Sequence, residues 1–226
     1  MSQLPELLLV DKPKGITSFD VIRQLRRQTG VKKFGHAGTL DPLASGLMLI
    51  GVEQGTKKLG ELIKLDKEYI AEVRLGETRS TGDLEGEIVD ECDITQSVEE
   101  LQPQIYSILR TFPGTRSLPV SAYSAIKVDG VRMYDRARAA AISGDTVINI
   151  PVREMTIHEA QLLGLTTGER RAVATVRFSV ASGTYIRSLA EELGRRLGYP
   201  ATLQNLRRTK VGEFTIEDAQ QLADIT

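Results

Sequence analysis

The 226-residue sequence has no tryptophan, one cysteine and two histidines. Cys92 has no second thiol to pair with, and Cys92, His36 and His158 do not make the four-ligand set of a structural zinc site, so neither a disulfide nor a metal staple is expected. Long hydrophobic runs are missing too. The longest, Leu47 to Val52, is far short of the roughly 20 apolar residues that cross a bilayer. Met1 to Glu6 carry no basic region, and Asp11-Lys12-Pro13-Lys14 interrupts the apolar run Leu7 to Val10 before it could act as a signal peptide, which predicts a cytoplasmic protein without membrane contact. Charge of one sign is also lacking. Lys and Arg number 29 against 30 Asp and Glu, a net of −1, and that total offers a nucleic acid no attraction. The sequence has no P-loop, dinucleotide-binding glycine pattern, zincin His pair or nucleophile-elbow serine, which leaves nucleotide hydrolysis, dinucleotide redox and serine-hydrolase chemistry without local support.

What is present reads as an ordinary globular chain, 41% hydrophobic and 26% charged, long enough for one large or two small domains. Leu7 to Val10 predicts a buried strand. Thr17 or Ser18 then caps a helix with Val21, Ile22 and Leu25 on one face and Gly30 at its end. Gly35 to Pro42 is a loop by composition, followed by a buried strand, Leu47 to Val52. Thr56 to Lys64 has helical spacing, and Tyr69 to Leu75 alternates as a strand and ends at Gly76. Further helices are expected over Val98 to Arg110, Tyr134 to Ile142 and Tyr185 to Leu197. Strands are expected over Ser124 to Val128, before a turn at Asp129-Gly130, and over Val147 to Val152, Met155 to Leu163 and Ala172 to Ala181. The irregular interspersion of the two types predicts an α+β fold with a mixed sheet rather than a doubly wound one.

Charge resolves by segment. Residues 1–40 hold seven bases and three acids, and residues 170–212 nine bases and two acids. Residues 77–100 hold nine acids and one base, and read as an exposed acidic excursion. If the two basic segments share a face they suit a phosphate backbone; otherwise they are solvated helices.

One loop stands out: Gly35-His36-Ala37-Gly38-Thr39-Leu40-Asp41-Pro42-Leu43-Ala44-Ser45-Gly46. Its glycines permit close approach, and Pro42 holds Asp41 extended, although an Asp-Pro taken alone is a turn. This segment resembles the catalytic motif of the TruB family of tRNA pseudouridine synthases. Leu9 to Ser18, Lys67-Glu68-Tyr69, Thr81-Gly82-Asp83, Ser124 to Gly130, Gly183-Thr184-Tyr185-Ile186-Arg187 and Leu206-Arg207-Arg208-Thr209 are similar to further family motifs, in family order.

The resemblance implies a pseudouridine synthase fold, with a mixed, mostly antiparallel sheet flanked by helices and loops, and isomerisation of uridine 55 in the T arm of tRNA. It implies no cofactor, no metal and a monomer. Asp41 would be the nucleophile. A carboxylate in a site that has excluded water needs a cation to stay ionised, and Arg187 is the arginine the family pairs with it, its planar fork able to hold a carboxylate as lysine cannot. Tyr69 would stack on the target base and help remove its C5 proton; alone, a strand tyrosine is core. Tyr185 and Leu206 would line the uridine pocket. His36 would enter the T loop as an exposed ring and occupy the space of the flipped base.

The sequence departs from the family in two places. Pro119-Val120-Ser121-Ala122-Tyr123-Ser124 stands where many members have two prolines, and the chain ends at Thr226, so residues 1–226 are expected to be a catalytic domain with no C-terminal PUA-type domain. A non-catalytic RNA-binding module is disfavoured by intact Asp41, Tyr69 and Arg187. A guide-RNA-dependent synthase is disfavoured by the short chain.

Overall fold

The computed structural model describes residues 4–121, 127–128, 130–143 and 150–225. In chain order the elements are β1 (Leu7–Lys12), α1 (Ser18–Thr29), β2 (Phe34–His36), β3 (Ser45–Val52), a 3-10 turn (Glu53–Lys58) running into the short helix α2 (Leu59–Leu62), β4 (Lys67–Leu75), β5 (Glu77–Arg79), β6 (Ile88–Glu91), α3 (Val98–Leu109) and β7 (Gly114–Pro119). There follow β8 (Lys127–Val128), β9 (Val131–Arg132), α4 (Met133–Ser143), β10 (Val152–Thr167), β11 (Ala172–Val180), α5 (Ile186–Leu197), β12 (Ala201–Val211), β13 (Phe214–Thr215) and β14 (Gln220–Gln221), the last flanked by 3-10 turns. The chain forms two compact units, one of Met1–Ile70, Arg177–Gly183 and Asn205–Thr226, the other of Ala71–Val176 and Thr184–Gln204.

In the first unit the strand order is β14-β1-β3-β12-β4. β1 lies antiparallel to β3, with Leu9 opposite Leu49, and parallel to β14. β12 is parallel to β3, Arg207 facing Ser45 and Arg208 facing Gly46. β3 is buried along almost its whole length because neither of its faces meets water, which is why its sequence is a continuous apolar run instead of an alternation. α1 begins with a capping box, Thr17 accepting from the Asp20 N–H while the Asp20 carboxylate accepts from the Thr17 N–H, and it ends at Gly30 in the left-handed conformation. Such a cap contributes about 1 kcal/mol. Burying Val21, Ile22 and Leu25 contributes roughly 1.5–3 kcal/mol each, so the apolar face decides that this helix packs. Asp11 is held by a two-pronged pair from Arg207, at 2.8 and 3.1 Å, and by Gln221 at 3.2 Å.

In the second unit the order is β12-β4-β11-β10-β7. β4 and β11 alternate buried and half-buried residues along their lengths, the period-two pattern of strands with one covered face. β10 pairs antiparallel with β7. α5 buries Ile186, Leu189, Ala190 and Leu193, as its spacing predicts, together with Arg187, Ser188 and Glu192. Parallel and antiparallel pairings occur together, and the fold is α+β.

Four expectations are corrected. The loop at Gly35 begins later, because Phe34, Gly35 and His36 pair with Val52, Gly51 and Ile50; glycine suits this strand because a Cβ on Gly35 would lie 2.7 Å from Leu59. Thr56 to Lys64 is a 3-10 turn and one helical turn, not a continuous helix. The acidic excursion is not simply solvated: Glu77 is 2% exposed and Asp83 3%, and Arg74, Arg79 and Arg171 surround Glu77. The bases of residues 170–212 are largely paired with the protein's own acids, some of them at the surface: Arg170 with Asp93, Arg171 with Glu91, Arg195 and Arg196 with Glu192, Arg207 with Asp11, while Arg208 is buried. Of the sequence expectations, the strands at Ser124 to Ile126 and Val147 to Asn149, Asp129 and Tyr123 lie outside the described residues; Lys127 and Val128 form β8, paired with β9.

Candidate active site

In the first unit Asp41 opens a tight turn in which its carbonyl accepts from the Ala44 N–H at 3.0 Å, with Pro42 at the second position, where its fixed φ is favourable. The residues around it are tied down. The Ser18 hydroxyl, buried at the first turn of α1, accepts from the Leu40 N–H at 2.8 Å and donates to the Leu40 carbonyl at 3.0 Å. The Gly15 N–H donates to the Pro42 carbonyl at 2.8 Å. Both backbone neighbours of Asp41 are therefore fixed by groups outside the loop.

Arg208 holds the same loop from β12. Its Nε donates to the Leu47 carbonyl at 2.7 Å and its Nη2 to the Gly38 carbonyl at 3.2 Å. Gly46 lies against the Arg208 backbone with a φ of 109°, and a Cβ there would fall 2.3 Å from the Arg208 carbonyl oxygen. Leu206, two residues earlier on β12, is buried on the same side of the strand as Arg208. Tyr69, 8% exposed, shares the buried face of β4 with Lys67. The Lys67 ammonium donates to the carbonyls of Ile63 and Leu65 at 2.6 and 2.5 Å. Burial and, after it, the charge of Arg208 push Lys67 down to about 8.

His36 does not stand out as an exposed ring. It ends β2, half-buried, and its Nδ1 finds no partner. Burial first, then Arg208, lower its pKa, against a hydrogen bond with the Gly38 backbone, so the imidazole is neutral at pH 7.

In the second unit Tyr185 occupies the N-cap position of α5, half-buried, and Arg187 lies in the first turn, 6% exposed. Arg187 Nη1 donates to the Thr81 carbonyl at 2.9 Å and the Ser121 Oγ at 3.0 Å, and lies 3.6 Å from Asp83 Oδ2. The Asp83 carboxylate is itself fixed, accepting from the Thr81 hydroxyl at 2.6 Å and the Glu85 N–H at 3.1 Å. Glycine is required between them because Gly82 has a φ of 74° and a Cβ would meet Glu191 Oε1 at 2.7 Å. Glu191, beside Arg187, has its pKa raised by burial in spite of that charge. A groove of about 550 Å³ along β7 and α5 is lined by Arg116, Ser188, Glu191 and Arg195 among others; none of the six residues singled out from the sequence borders it.

Asp83, Ser18, Arg208 and Lys67 carry much of this geometry; the sequence placed all four in motifs similar to the family's, and Ser18 as a candidate cap, without giving any of them a part in the site. The motifs at Asp83 and Arg208 carried no sign of their partners, and Ser18 read only as an alternative to Thr17 as the cap. Among the described residues no group of three His, Cys, Asp or Glu side chains could hold a metal, and no helix is long and apolar enough to cross a membrane.

Residues 26–186 match the family model described as the TruB family pseudouridylate synthase N-terminal domain. The chain belongs to the TruB family. It is thus an isomerase of the pseudouridine synthase class. Residues 187–226 match a second model, the tRNA pseudouridylate synthase B C-terminal domain. The tRNA pseudouridine synthase B of Corynebacterium efficiens is 42% identical over 97% of this chain and 71% of its own length. That of Mycobacterium ulcerans is also 42% identical, over 98% of this chain and 71% of its own length. Among solved structures, a Cbf5-Nop10-Gar1 complex contains a chain similar to this TruB member with a TM-score of 0.68 and 25% identity, covering 96% of this chain. An H/ACA RNP bound to a substrate RNA gives 0.66 at the same identity. The present chain spans about half of each of those structural relatives, 52% and 51%.

Proposed function

We propose that this TruB member converts uridine 55 in the T arm of tRNA to pseudouridine, without a guide RNA and without a cofactor. The observation that carries the reading is the kinship, at 42% identity over 97% of the chain, with a synthase named for tRNA. The immobilised Asp41 turn supports it physically.

In this reaction the N1–C1′ bond of the uridine breaks, the base rotates, C5 bonds to C1′, the C5 proton leaves and N1 regains a proton. Asp41 is the nucleophile. Its turn delivers the carboxylate from a backbone that has no need to reorganise. Arg187 is kept as the cation that the family pairs with its aspartate, and its own orientation is set by Asp83, Thr81 and Ser121. Tyr69 stacks on the flipped base and takes part in removing the C5 proton, with Tyr185 and Leu206 lining the pocket. His36, neutral and half-buried, fills space left by the base. Unstacking costs a few kcal/mol; with few aromatic residues available, phosphate contacts from the exposed bases Lys14, Arg26, Arg27, Lys32 and Lys33 offset it.

The guide-dependent reading has the similarity to the H/ACA particle in its favour, at 25% identity against 42% for the tRNA enzymes. Incubating the purified protein with a T-arm stem-loop transcript, with no other RNA present, separates the two. Pseudouridine at the target position, lost in Asp41→Asn, is the expected result. No product on stem-loop or whole tRNA would overturn the guide-free reading, and RNA binding without product would make the chain a binding module.

A further inference from the structure

The turn at Asp41 is one residue away from two others whose backbone groups are satisfied from elsewhere, and the loop is gripped again at both ends. Ser18 takes both polar groups of Leu40, the N–H at 2.8 Å and the carbonyl at 3.0 Å, through one hydroxyl that is 3% exposed. A hydroxyl that both accepts and donates to one residue fixes the orientation of that peptide as well as its position. Arg208, 1% exposed, spans the loop: Gly38 lies three residues before Asp41 and Leu47 six residues after it, and one guanidinium donates to both carbonyls. The two bonds leave from different nitrogens, Nε and Nη2, so the rigid plane of the guanidinium fixes the two carbonyls relative to each other in a way that one ammonium nitrogen does not. A buried guanidinium is an expensive way to satisfy two carbonyls if stability were the only demand, because apolar packing is often as stabilising as a buried charge. A grip that takes hold on both sides of one carboxylate points to precision of placement.

We propose that Ser18 and Arg208 are positioning residues that together set the Asp41 carboxylate for reaction. This rests on Asp41 being the nucleophile, as argued above. Neither side chain touches the substrate in this assignment. Ser18 fixes the residue before Asp41, Arg208 fixes the loop's two ends against β12, and the carboxylate inherits its direction from both.

The test uses the full chain and a T-arm stem-loop, measuring single-turnover rate at saturating enzyme, stem-loop affinity and thermal melting for Ser18→Ala, Arg208→Lys and Asp41→Asn. Ser18→Ala removes two hydrogen bonds and little volume, so it should fold. A misplacement on the order of 1 Å can cost about 100-fold; Ser18→Ala should therefore lose roughly ten- to 100-fold in single-turnover rate while affinity stays unchanged. Arg208→Lys, which keeps the charge but loses the rigid two-nitrogen fork, should show the same split. A lowered melting temperature with an unchanged rate in Ser18→Ala would make the contacts merely structural and overturn the proposal, whether or not Arg208→Lys folds. An Asp41→Asn protein as fast as the unaltered chain would instead remove the nucleophile reading. A slow Ser18→Ala whose affinity falls in step would assign Ser18 to binding, which also overturns it.

Discussion

The Asp83 carboxylate lies 3.6 Å from the guanidinium of Arg187, with both side chains less than a tenth exposed. A paired charge in such surroundings is held by its partner, and removing one member leaves the other uncompensated.

Asp83→Asn should therefore cost about 3–5 kcal/mol of stability, read as a fall in the urea midpoint. Arg187→Lys should stay folded and be nearly inactive: the contacts to Thr81, Ser121 and Asp83 all fall on Nη1, which an ammonium can replace, whereas the planar fork proposed to hold the nucleophile's carboxylate is lost. Full turnover by Arg187→Lys on the stem-loop would contradict this.

Lys67 gives a pH signature. Its pKa falls from 10.5 to about 8 in the folded chain, so between those values the unfolded chain holds a proton that the folded chain has released. Stability then rises with pH across that window, by up to about 1.4 kcal/mol per pH unit from this one group, and is insensitive to Lys67 below it. Urea denaturation of the unaltered chain and Lys67→Met from pH 7 to pH 10 should show the difference in slope. Parallel curves would mean the ammonium is not desolvated.

Tyr69 combines a flat face with a phenol oxygen, and two substitutions separate them. Tyr69→Phe keeps stacking and removes the hydroxyl; Tyr69→Leu removes both. If the hydroxyl takes part in removing the C5 proton, Phe binds the stem-loop as before but fails to release pseudouridine, and Leu also binds less tightly, by about 1–3 kcal/mol for a lost stacking platform. Product release at full rate from Tyr69→Phe would exclude the proton role.

Periodicity and capping chemistry are local, so they were legible. Thr17 and Gly30 bound α1, the continuous run of β3 and the alternation of β4 gave those strands, and Ile186, Leu189, Ala190 and Leu193 gave the buried face of α5. Sums over charge were not a reliable guide. Net charge along a segment says nothing of where the side chains turn, and Arg207 reaches Asp11 while Arg171 reaches Glu77 and Glu91, partners dozens of residues away or more in sequence. For the same reason the motifs that contain Asp83 and Arg208 could be seen in the sequence while their partners could not. Burial turns an ordinary charge into a specific one, and burial is a tertiary property. His36 shows the same limit: its glycine neighbours suggested an open loop, whereas pairing with β3 half-covers the ring.

The place of β12 also sets the timing of assembly. In the first unit this strand lies between β3 and β4, yet it is made of residues 201–211, whereas β3 ends at residue 52. At roughly 5–20 residues per second, a ribosome needs about 7–30 s to travel from one to the other. Throughout that interval β2 already pairs with Ile50 to Val52 of β3, while the Ser45–Gly46 end of the strand still lacks its partner in β12. The nascent chain therefore presents the start of an apolar strand with an unpaired edge before β12 exists, and the loop of Asp41, gripped by Arg208, is among the last parts of the protein to become rigid.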